Sequence, residues 1–376
     1  MSKFYIIRET FIANSAPANR LLSFLKAFDA KNIKATVIFV CPDVMCSKVQ
    51  EQYNNIDICY LWDKGLFRNR YCSKIFSKYY LRKWAEEHLQ KGDKVFLFGS
   101  SNLLNYFVRI NGIDVYHECT EHPEVVRLRF AYQRVAYLRA CTKLKGLFVI
   151  STALKKYFQS IGVPEDRIAI VNMTVDIDRF QSLVKQKTET RYIAYCGTAS
   201  NSKDGVDDLI RSFAIVHKRI PDVKLYIIGK IPSKKENNEN IELISKLGLE
   251  NDIILTGQIA YQEMPQMLKD AEVLVLARPN SLQAENGFPT KLGEYLLTEN
   301  PVVVTAVGDI PLFLKNGESA LLAEERNCDD IAEKICWALT NHEKSSFIGL
   351  RGAEIAKIHF NSKTETQKII EYIQGT

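Results

Sequence analysis

The feature of this sequence that most constrains its fold is an alternation of short apolar runs with longer helix-like segments. In the first half, the apolar runs occupy residues 4–9, 35–40, 56–61, 94–99, 114–118, 146–151 and 167–173. Runs of β-branched and aromatic residues between helices are typical of parallel strands, because the connecting helices cover both faces of the sheet. The alternation therefore predicts a doubly wound parallel α/β sheet.

A polar segment without periodicity, residues 181–190, divides this alternation into two similar halves. After it, apolar runs occupy residues 191–197, 223–229, 252–257, 271–277, 301–305 and 320–323. We expect two Rossmann-like domains, residues 1–185 and 186–355, that face an interdomain cleft. Ligands in such sheets bind at the carboxyl ends of the strands. We expect the final helix, within residues 356–376, to return to the first domain.

Cysteine spacing and hydropathy argue against secretion, membrane insertion and zinc binding. The nine cysteines are scattered and form no Cys-x-x-Cys pair, as is typical of free thiols in a reducing compartment. No apolar run approaches the ~20 residues that a membrane helix needs. The opening residues, MSKFYIIRETFIANS, lack the apolar core of a signal peptide. We expect a cytoplasmic protein without a bound metal or cofactor.

Positive charge is concentrated in the first half of the chain. Residues 1–180 hold 27 Lys and Arg against 17 Asp and Glu, whereas the remaining residues hold 23 against 27. Residues 64–84, KGLFRNRYCSKIFSKYYLRKW, contain seven basic and six aromatic residues and no acidic one. A basic aromatic helix suits an anionic membrane surface, which attracts each basic residue by roughly 1 kcal/mol. A helix whose aromatic side chains face the core is the competing interpretation, and a nucleic-acid surface ranks well below both.

The sequence lacks the signatures of several common enzyme classes. No glycine precedes Gly65, so the GxGxxG of a dinucleotide-binding domain does not follow the first strand. The GxxxxGK[ST] of P-loop nucleotidases, HExxH, GxSxG and the EF-hand pattern do not occur either. These absences disfavour a dehydrogenase, a P-loop enzyme, a zinc protease and an α/β-hydrolase.

Two loops of the second half carry groups that suit a phosphate. The stretch CGTASNSKDGVDDLI places Gly197, small polar residues and Lys203 between a predicted strand and a helix. Small residues let backbone N–H groups approach a phosphate, and a lysine beside them adds a positive charge. Arg278 directly follows the apolar run 271–277, where a guanidinium can bind a phosphate through two N–H groups.

A third stretch, NGFPTKLGEYLLTENPVVVT, predicts a helix over residues 288–298 followed by a buried strand. Gly287 precedes the helix, whose N-terminus is a ready anion site. Lys291 and Glu294 share one helix face. As a surface ion pair they would stabilise the helix by roughly a few tenths of a kcal/mol. As ligand contacts, Glu294 would accept two hydrogen bonds from a vicinal diol such as a ribose.

Together these stretches resemble the nucleotide-binding domain of family 4 glycosyltransferases, the retaining GT-B enzymes also described as glycosyl transferases group 1. The likeness is sharpest in GFPTKLGEYL and NPVVVT and continues in VGDIP, GESALL, CGTASNSKDG and IVNMTVDIDRF. It implies that Glu294 is the second Glu of the Glu-x7-Glu motif, which binds the donor ribose, and that Lys291 lies toward the diphosphate. The implied donor site comprises Gly197, Thr198, Lys203, Arg278, Asn286, Gly287, Phe288, Pro289, Thr290, Lys291 and Glu294.

The sequence departs from the family pattern at two positions. The first Glu of the motif falls on Asn286, whose amide still binds hydroxyls but adds no negative charge. The Arg that family members often place after the glycine of the first loop is Thr198, while Lys203 keeps the companion Lys position. Arg278 and Lys291 are candidates to supply the missing positive charge.

In the first half, the resemblance implies that the acceptor and the catalytic centre lie near loops at strand ends. His117, Glu118, Glu121 and His122 crowd into six positions around the end of one predicted strand. Titratable groups gathered in this way suit an active site, whereas ordinary loop carboxylates and a core histidine are the structural alternative. Asn14, Ser15 and Asn19 in the first loop are predicted to contact the acceptor.

The resemblance implies a retaining hexosyltransferase, and the predicted cations and helix N-terminus lead us to expect that it is metal-independent. Its donor would be a UDP- or GDP-sugar. Its acceptor would be a glycan or a lipid-linked molecule of surface polysaccharide biosynthesis, and the transfer would take place at the inner face of the membrane. Lys203, Arg278 and the N-terminus of helix 288–298 would stabilise the departing diphosphate, with His117, Glu118, Glu121 and His122 as further catalytic candidates. The alternative is a catalytically inactive GT-B scaffold that binds a nucleotide sugar or a partner.

Overall fold

The computed structural model describes residues 2–41, 47–64, 70–99, 101–125 and 131–375. The chain forms two compact units, Met1–Asn172 with Ser362–Thr376, and Met173–Asn361. The first unit ends at Asn172 rather than at residue 185, because residues 173–185 make their contacts in the second unit. Val175 pairs with Asn361, and Lys185 Nζ donates to the Ala271 carbonyl at 2.9 Å.

The first unit contains a seven-stranded parallel sheet in the order β3-β2-β1-β4-β5-β6-β7. All seven apolar runs of the first half form its strands. They are β1 Phe4–Arg8, β2 Ala35–Phe39, β3 Ile56–Tyr60, β4 Lys94–Phe98, β5 Asp114–Cys119, β6 Gly146–Val149 and β7 Ile168–Ile170. The helices between them are α1 Ala16–Ala30, α2 Arg70–His88, α3 Ser101–Phe107, α4 Ala131–Cys141 and α5 Thr152–Ser160. Residues 126–130, which precede α4, lie outside the described part of the chain.

The second unit contains a six-stranded parallel sheet in the order β10-β9-β8-β11-β12-β13. Its strands are β8 Arg191–Cys196, β9 Val223–Ile228, β10 Ile253–Gly257, β11 Val273–Leu276, β12 Val302–Thr305 and β13 Leu321–Ala323. Its helices are α6 Asn201–Asp204, α7 Val206–Arg219, α8 Lys234–Leu247, α9 Met264–Asp270, α10 Leu282–Asn286, α11 Thr290–Leu297, α12 Ile310–Phe313, α13 Cys328–Thr340 and α14 His342–His359. The prediction of two doubly wound parallel sheets is confirmed.

The last helix, α15 Ser362–Gly375, belongs to the first unit. Ile369, Ile370 and Ile373 pack into the hydrophobic core that β1, β2, β4 and α1 form. Glu365 accepts the backbone N–H of Asn172 at 2.7 Å. The apolar spacing of the three isoleucines therefore gives the helix the face that the first unit buries.

In each sheet the strand order reverses beside the first strand of the unit. The reversal lies between β1 and β4 in the first sheet and between β8 and β11 in the second. Ligands of doubly wound sheets bind outside the carboxyl ends of the strands at this point. Within the described part of the chain, no helix is both long and apolar enough to cross a membrane.

Candidate active site

The loop after β8 is a tight turn at the point where the second sheet reverses. Gly197 has a φ of 155° and Gly205 a φ of 66°, and Ser200 caps α6 by accepting the Lys203 N–H at 3.3 Å. A side chain at Gly197 would collide with the Lys291 ammonium and the Tyr195 hydroxyl. The glycine therefore leaves space for the lysine to reach this loop from α11.

Lys291 is held at the carboxyl end of β8 by a buried polar network. Its ammonium donates to Asp204 Oδ2 at 2.6 Å and to the Tyr195 hydroxyl at 2.9 Å, and that hydroxyl lies 2.7 Å from Asp204 Oδ2. Burial lowers the pKa of Lys291, while its contact with Asp204 acts in the opposite direction. Burial alone would raise the pKa of Asp204, but the Lys291 charge and the hydrogen bonds outweigh it and hold that pKa below its usual range. The network fixes a cation beside the loop.

Glu294 lies one helical turn further along α11. Its Oε1 accepts from Arg179 at 2.8 Å, with 23% of its side chain exposed. Burial raises the pKa of Glu294, and the Arg179 guanidinium offsets part of that rise. The next residue, Tyr295, anchors the helix, because its hydroxyl donates to the Cys196 carbonyl at 3.1 Å. Lys291 and Glu294 are thus both positioned beside the end of β8.

Two other predicted donor-site residues, Lys203 and Thr198, lie on the surface of the loop after β8. Lys203 is exposed and lies close enough to Lys291 and Asp204 to affect the pKa of both. Thr198 is exposed as well, and its carbonyl accepts from the Tyr195 hydroxyl at 2.6 Å.

Arg278 and Asn286 are buried against α10. An Arg278 nitrogen donates to the Gln283 carbonyl at 3.1 Å, and the Asn286 amide donates to the Leu282 carbonyl at 3.0 Å. Arg278 is only 4% exposed. The side chain that was predicted to bind a phosphate is therefore engaged by a helix carbonyl.

The start of α11 differs from its predicted position by two residues. Pro289 is the N-cap and Thr290 the first helical residue, and no side chain caps the N-terminus. Gly287 adopts an extended backbone before it, with a φ of −100°. Phe288 packs against Phe313 and Phe360, with ring centroids 5.6 and 5.2 Å away. The Phe288 side chain is therefore part of the core. In the first turn, the Leu292 N–H donates to the Pro289 carbonyl at 3.0 Å, so an anion would accept from the N–H groups of Thr290 and Lys291.

In the first unit, His117 and Glu118 do not converge, because both lie within β5 and successive residues of a strand point to opposite faces. His117 is 1% exposed, and its Nδ1 lies 2.9 Å from the Leu97 carbonyl. Glu118 is 3% exposed and accepts from Arg20 at 2.8 Å. The expectation that the four titratable residues gather after a strand is corrected here for these two, which have partners inside the fold.

Glu121 and His122 do follow the end of β5. The Glu121 carbonyl accepts from the Cys119 thiol at 3.1 Å. The His122 ring lies 4.3 Å from the Tyr157 ring, and burial lowers the pKa of His122. The residues after Val125, 126–130, are outside the described part of the chain.

The predicted acceptor residues lie in and after the loop that follows β1. Asn14 is exposed and has a φ of 61°, a conformation that Asn tolerates better than most residues. Ser15 caps α1 by accepting the Ala18 N–H at 3.3 Å, and Asn19 lies in the first turns of that helix. These residues therefore stand at the reversal point of the first sheet.

Comparison with known proteins gives a family match for the second half of the chain. The family model described as glycosyl transferases group 1 matches residues 190–341. Mannosylfructose-phosphate synthase of Agrobacterium fabrum is 22% identical over 264 residues, which cover 66% of this chain and 56% of that relative. Putative colanic acid biosynthesis glycosyltransferase WcaL of Salmonella typhimurium is 23% identical over 218 residues, covering 57% and 53%. Residues 190–341, within the second unit, therefore resemble the group 1 glycosyltransferases.

The chain also matches solved structures over its full length. The crystal structure of Anabaena Alr3699/HepE in complex with UDP superposes with a TM-score of 0.78 at 15% identity and covers 100% of both chains. This likeness confirms the GT-B fold. The chain spans about half the length of the curated relatives it matches.

Sequence reasoning missed four residues that surround Lys291 and Glu294. They are Arg179, Tyr195, Asp204 and Tyr261. Arg179 lies in IVNMTVDIDRF, a stretch that already resembled the family, but its partner is 115 positions away. Among the described residues, no group of three or more His, Cys, Asp or Glu side chains is arranged to hold a metal ion.

Proposed function

We propose that this chain is a group 1 glycosyltransferase that moves a sugar from a nucleoside diphosphate sugar to a glycan or lipid-linked acceptor, with retention at the anomeric carbon. The observation that carries the proposal is the position of Lys291 and Glu294. Both side chains project from α11 beside the loop after β8, at the reversal point of the second sheet. A cation for a diphosphate and a carboxylate for a ribose thus lie one helical turn apart.

The relatives support the classes of donor and pathway. The HepE structure is a complex with UDP, and the WcaL relative is named for colanic acid biosynthesis. We propose a UDP- or GDP-sugar as the donor and surface polysaccharide assembly as the pathway.

In the proposed reaction, the bond from the anomeric carbon to the diphosphate oxygen breaks, and a bond to the acceptor oxygen forms on the same face. The acceptor proton moves to the leaving phosphate oxygen. Lys203, Lys291 and the N–H groups at the start of α11 stabilise the diphosphate charge, and Arg278 adds to the local positive potential. Fixed donors of this kind contribute about 10²–10³-fold in rate each. We propose that they replace a metal ion.

On the acceptor side, we propose Asn14, Ser15 and Asn19 as contacts, because the loop after β1 stands at the reversal point of the first sheet. Glu121 and His122 remain catalytic candidates. We assign His117 and Glu118 to stabilising the fold, since each is buried with an internal partner.

We further propose that the acceptor is presented at an anionic membrane surface, through the helix α2 that forms most of the basic aromatic segment 64–84. Residues 65–69 of that segment lie outside the described part of the chain. In the described part, Ile75, Phe76 and Tyr79 are 76%, 42% and 61% exposed. Lys78 and Arg82 lie on the same exposed surface, whereas Trp84 is buried. Apolar side chains exposed among basic ones favour a lipid surface over a solvated helix.

An inactive scaffold is the second candidate, favoured by Asn286 and Thr198. Titration calorimetry with UDP, GDP and ADP, on the wild type and on Glu294→Gln, tests the donor site. We expect one nucleoside diphosphate to bind the wild type, and Glu294→Gln to bind it about 10–100-fold more weakly, the worth of a charged hydrogen bond. Absence of binding by the wild type would contradict the donor site.

Turnover separates the enzyme from the scaffold. We expect slow hydrolysis of the matching nucleotide sugar in EDTA, and its loss in Lys291→Ala. Tight binding without any hydrolysis or transfer would establish the scaffold instead, and activity that EDTA abolishes would contradict metal independence.

A further inference from the structure

Arg179 is held in place by three groups of the second unit. One of its terminal nitrogens donates to Glu294 Oε1 at 2.8 Å, and the other donates to the Tyr261 carbonyl at 3.2 Å. The guanidinium carbon lies 3.9 Å from the centroid of the Tyr261 ring. A cation so close to a tyrosine face gains a further attraction. The guanidinium is therefore fixed before any ligand arrives.

Glu294 depends on this contact for its orientation. A glutamate has three rotatable side-chain bonds, and the ion pair with Arg179 fixes the end of that chain through Oε1. Among the residues that the structure describes, Glu294 Oε2 makes no hydrogen bond. The carboxylate is thus held on one side and open on the other. This arrangement suits a group that must accept hydrogen bonds from a ligand.

The chemistry of arginine suits this role better than that of lysine. The planar guanidinium offers several N–H groups in a fixed geometry, so it binds Glu294 and Tyr261 at the same time and stacks on the ring. A lysine ammonium at this place would keep the charge but not both hydrogen bonds and the stacking. To contact all three groups, residue 179 therefore needs the planar shape of a guanidinium as well as its positive charge.

We propose that Arg179 is a positioning residue that orients Glu294 toward the ribose hydroxyls of the donor and so makes the site prefer a ribonucleotide over its 2′-deoxy analogue. This inference rests on the proposed function, in which Glu294 binds the ribose. It adds a residue that does not itself touch the ribose but determines how well the ribose is recognised.

The test is titration calorimetry with two matched pairs of probes, UDP with 2′-deoxy-UDP and GDP with 2′-deoxy-GDP. We expect the wild type to bind one ribonucleotide about 10–100-fold more tightly than its deoxy analogue, the worth of a charged hydrogen bond. In Arg179→Gln the preference falls to about twofold or less, while the affinity for the deoxy analogue is unchanged. In Arg179→Lys we expect an intermediate preference. Arg351→Gln, which removes an exposed ion pair with Glu354, is the control and keeps the full preference.

Each other result is decisive. Equal weakening of both nucleotides in Arg179→Gln would mean that Arg179 contacts the phosphate or base, or supports the fold, and would overturn the inference. An unchanged preference would overturn it as well, and thermal unfolding of the variants identifies a loss of fold. If the wild type bound the ribonucleotide without any preference, the inference would fail while the donor site stood. If it bound neither nucleotide, the proposed function would fail with it.

Discussion

At the scale of single residues, burial decides which titratable groups remain available for chemistry. His117 is a clear case, because its ring is enclosed and its Nδ1 donates to the Leu97 carbonyl, which can only accept. Its Nε2 must then accept from the Tyr137 hydroxyl, 3.2 Å away. Burial lowers the pKa of His117 to about 4. The imidazole is therefore neutral in the folded protein throughout the physiological pH range.

This neutral histidine predicts a pH dependence of stability. Below its unfolded pKa of about 6.5, the unfolded chain binds a proton that the folded chain does not, so stability falls as the pH decreases toward the folded pKa of about 4. Between pH 7 and pH 5 the His117 contribution is a loss of about 2 kcal/mol. Urea unfolding at both pH values measures the free energy of unfolding. Between pH 7 and pH 5, this free energy should fall by about 2 kcal/mol less in His117→Gln than in the wild type.

The matched control for this prediction is His88→Gln, which replaces an exposed histidine of the same unit. It should keep the pH dependence of the wild type. A slope in His117→Gln equal to that of the wild type would show that His117 is protonated in the folded protein and would reopen its catalytic assignment.

The same residues show where sequence reasoning reaches its limit. The helix pattern of GFPTKLGEYL placed Lys291 and Glu294 on one face, and the structure has them there. Nothing in the sequence revealed that Asp204 binds Lys291 or that Arg20 neutralises Glu118, because these partners are 87 and 98 positions apart. Periodicity reports the face of an element, whereas pairing depends on which elements the fold brings together.

At the scale of elements, α2 has a buried face and a face that exposes large apolar side chains. Its residues Leu81, Trp84 and Ala85 are buried, as an amphipathic helix on a sheet requires. On the exposed side, large apolar residues stand beside basic ones. Lys78 and Arg82 also line a cavity of about 210 Å³ with Arg109 and Tyr106. The core interpretation thus concerns the buried face of this helix, and the membrane interpretation concerns its exposed face.

The exposed face of α2 predicts binding to vesicles of phosphatidylglycerol, but not of phosphatidylcholine, at 0.1 M salt. Since each basic residue contributes about 1 kcal/mol near an anionic surface, the double variant Lys78→Gln, Arg82→Gln should bind about 30-fold more weakly in sedimentation assays. Replacing Phe76 and Tyr79 by serine should weaken binding further. Lys235→Gln, on a residue 86% exposed in the second unit, should change nothing.

Two results would contradict this prediction. Equal binding to both kinds of vesicle would remove the electrostatic argument. Binding to a single-stranded oligonucleotide with a steep salt dependence, without binding to vesicles, would instead assign the surface to nucleic acid.

Elements were more predictable than their contacts. Every apolar run forms a strand because buried parallel strands need apolar residues on both faces, which makes them nearly continuous in sequence. Helix ends were less certain. The first turn of α11, for example, begins at Thr290 because Pro289 is extended, with a ψ of 111°, and because a proline disfavours a helical conformation of the residue before it, here Phe288.

At the scale of the whole molecule, the chain passes between its two units twice, after Asn172 and after Asn361. The polar segment 181–190 was predicted as the linker because linkers are commonly polar, yet Lys185 and Gln186 bond to Ala271 and Asp270 of the second unit. A polar composition indicates that a segment is exposed, but an exposed segment need not be the boundary between two units. The first crossing lies instead at residues of ordinary composition.

The second crossing makes the first unit depend on the last helix of the chain. Ile369 is fully buried in the core of that unit, so Ile369→Ala should destabilise it by about 2–5 kcal/mol. Hydrogen exchange read by mass spectrometry should show lost protection in β1, β2 and β4, with protection in β8 and β11 unchanged. Ile358→Ala, at a position 62% exposed in α14, is the control and should alter neither unit by more than about 0.5 kcal/mol. Equal loss of protection in both sheets would mean that the two units unfold together, and the crossing would then join them into one cooperative whole.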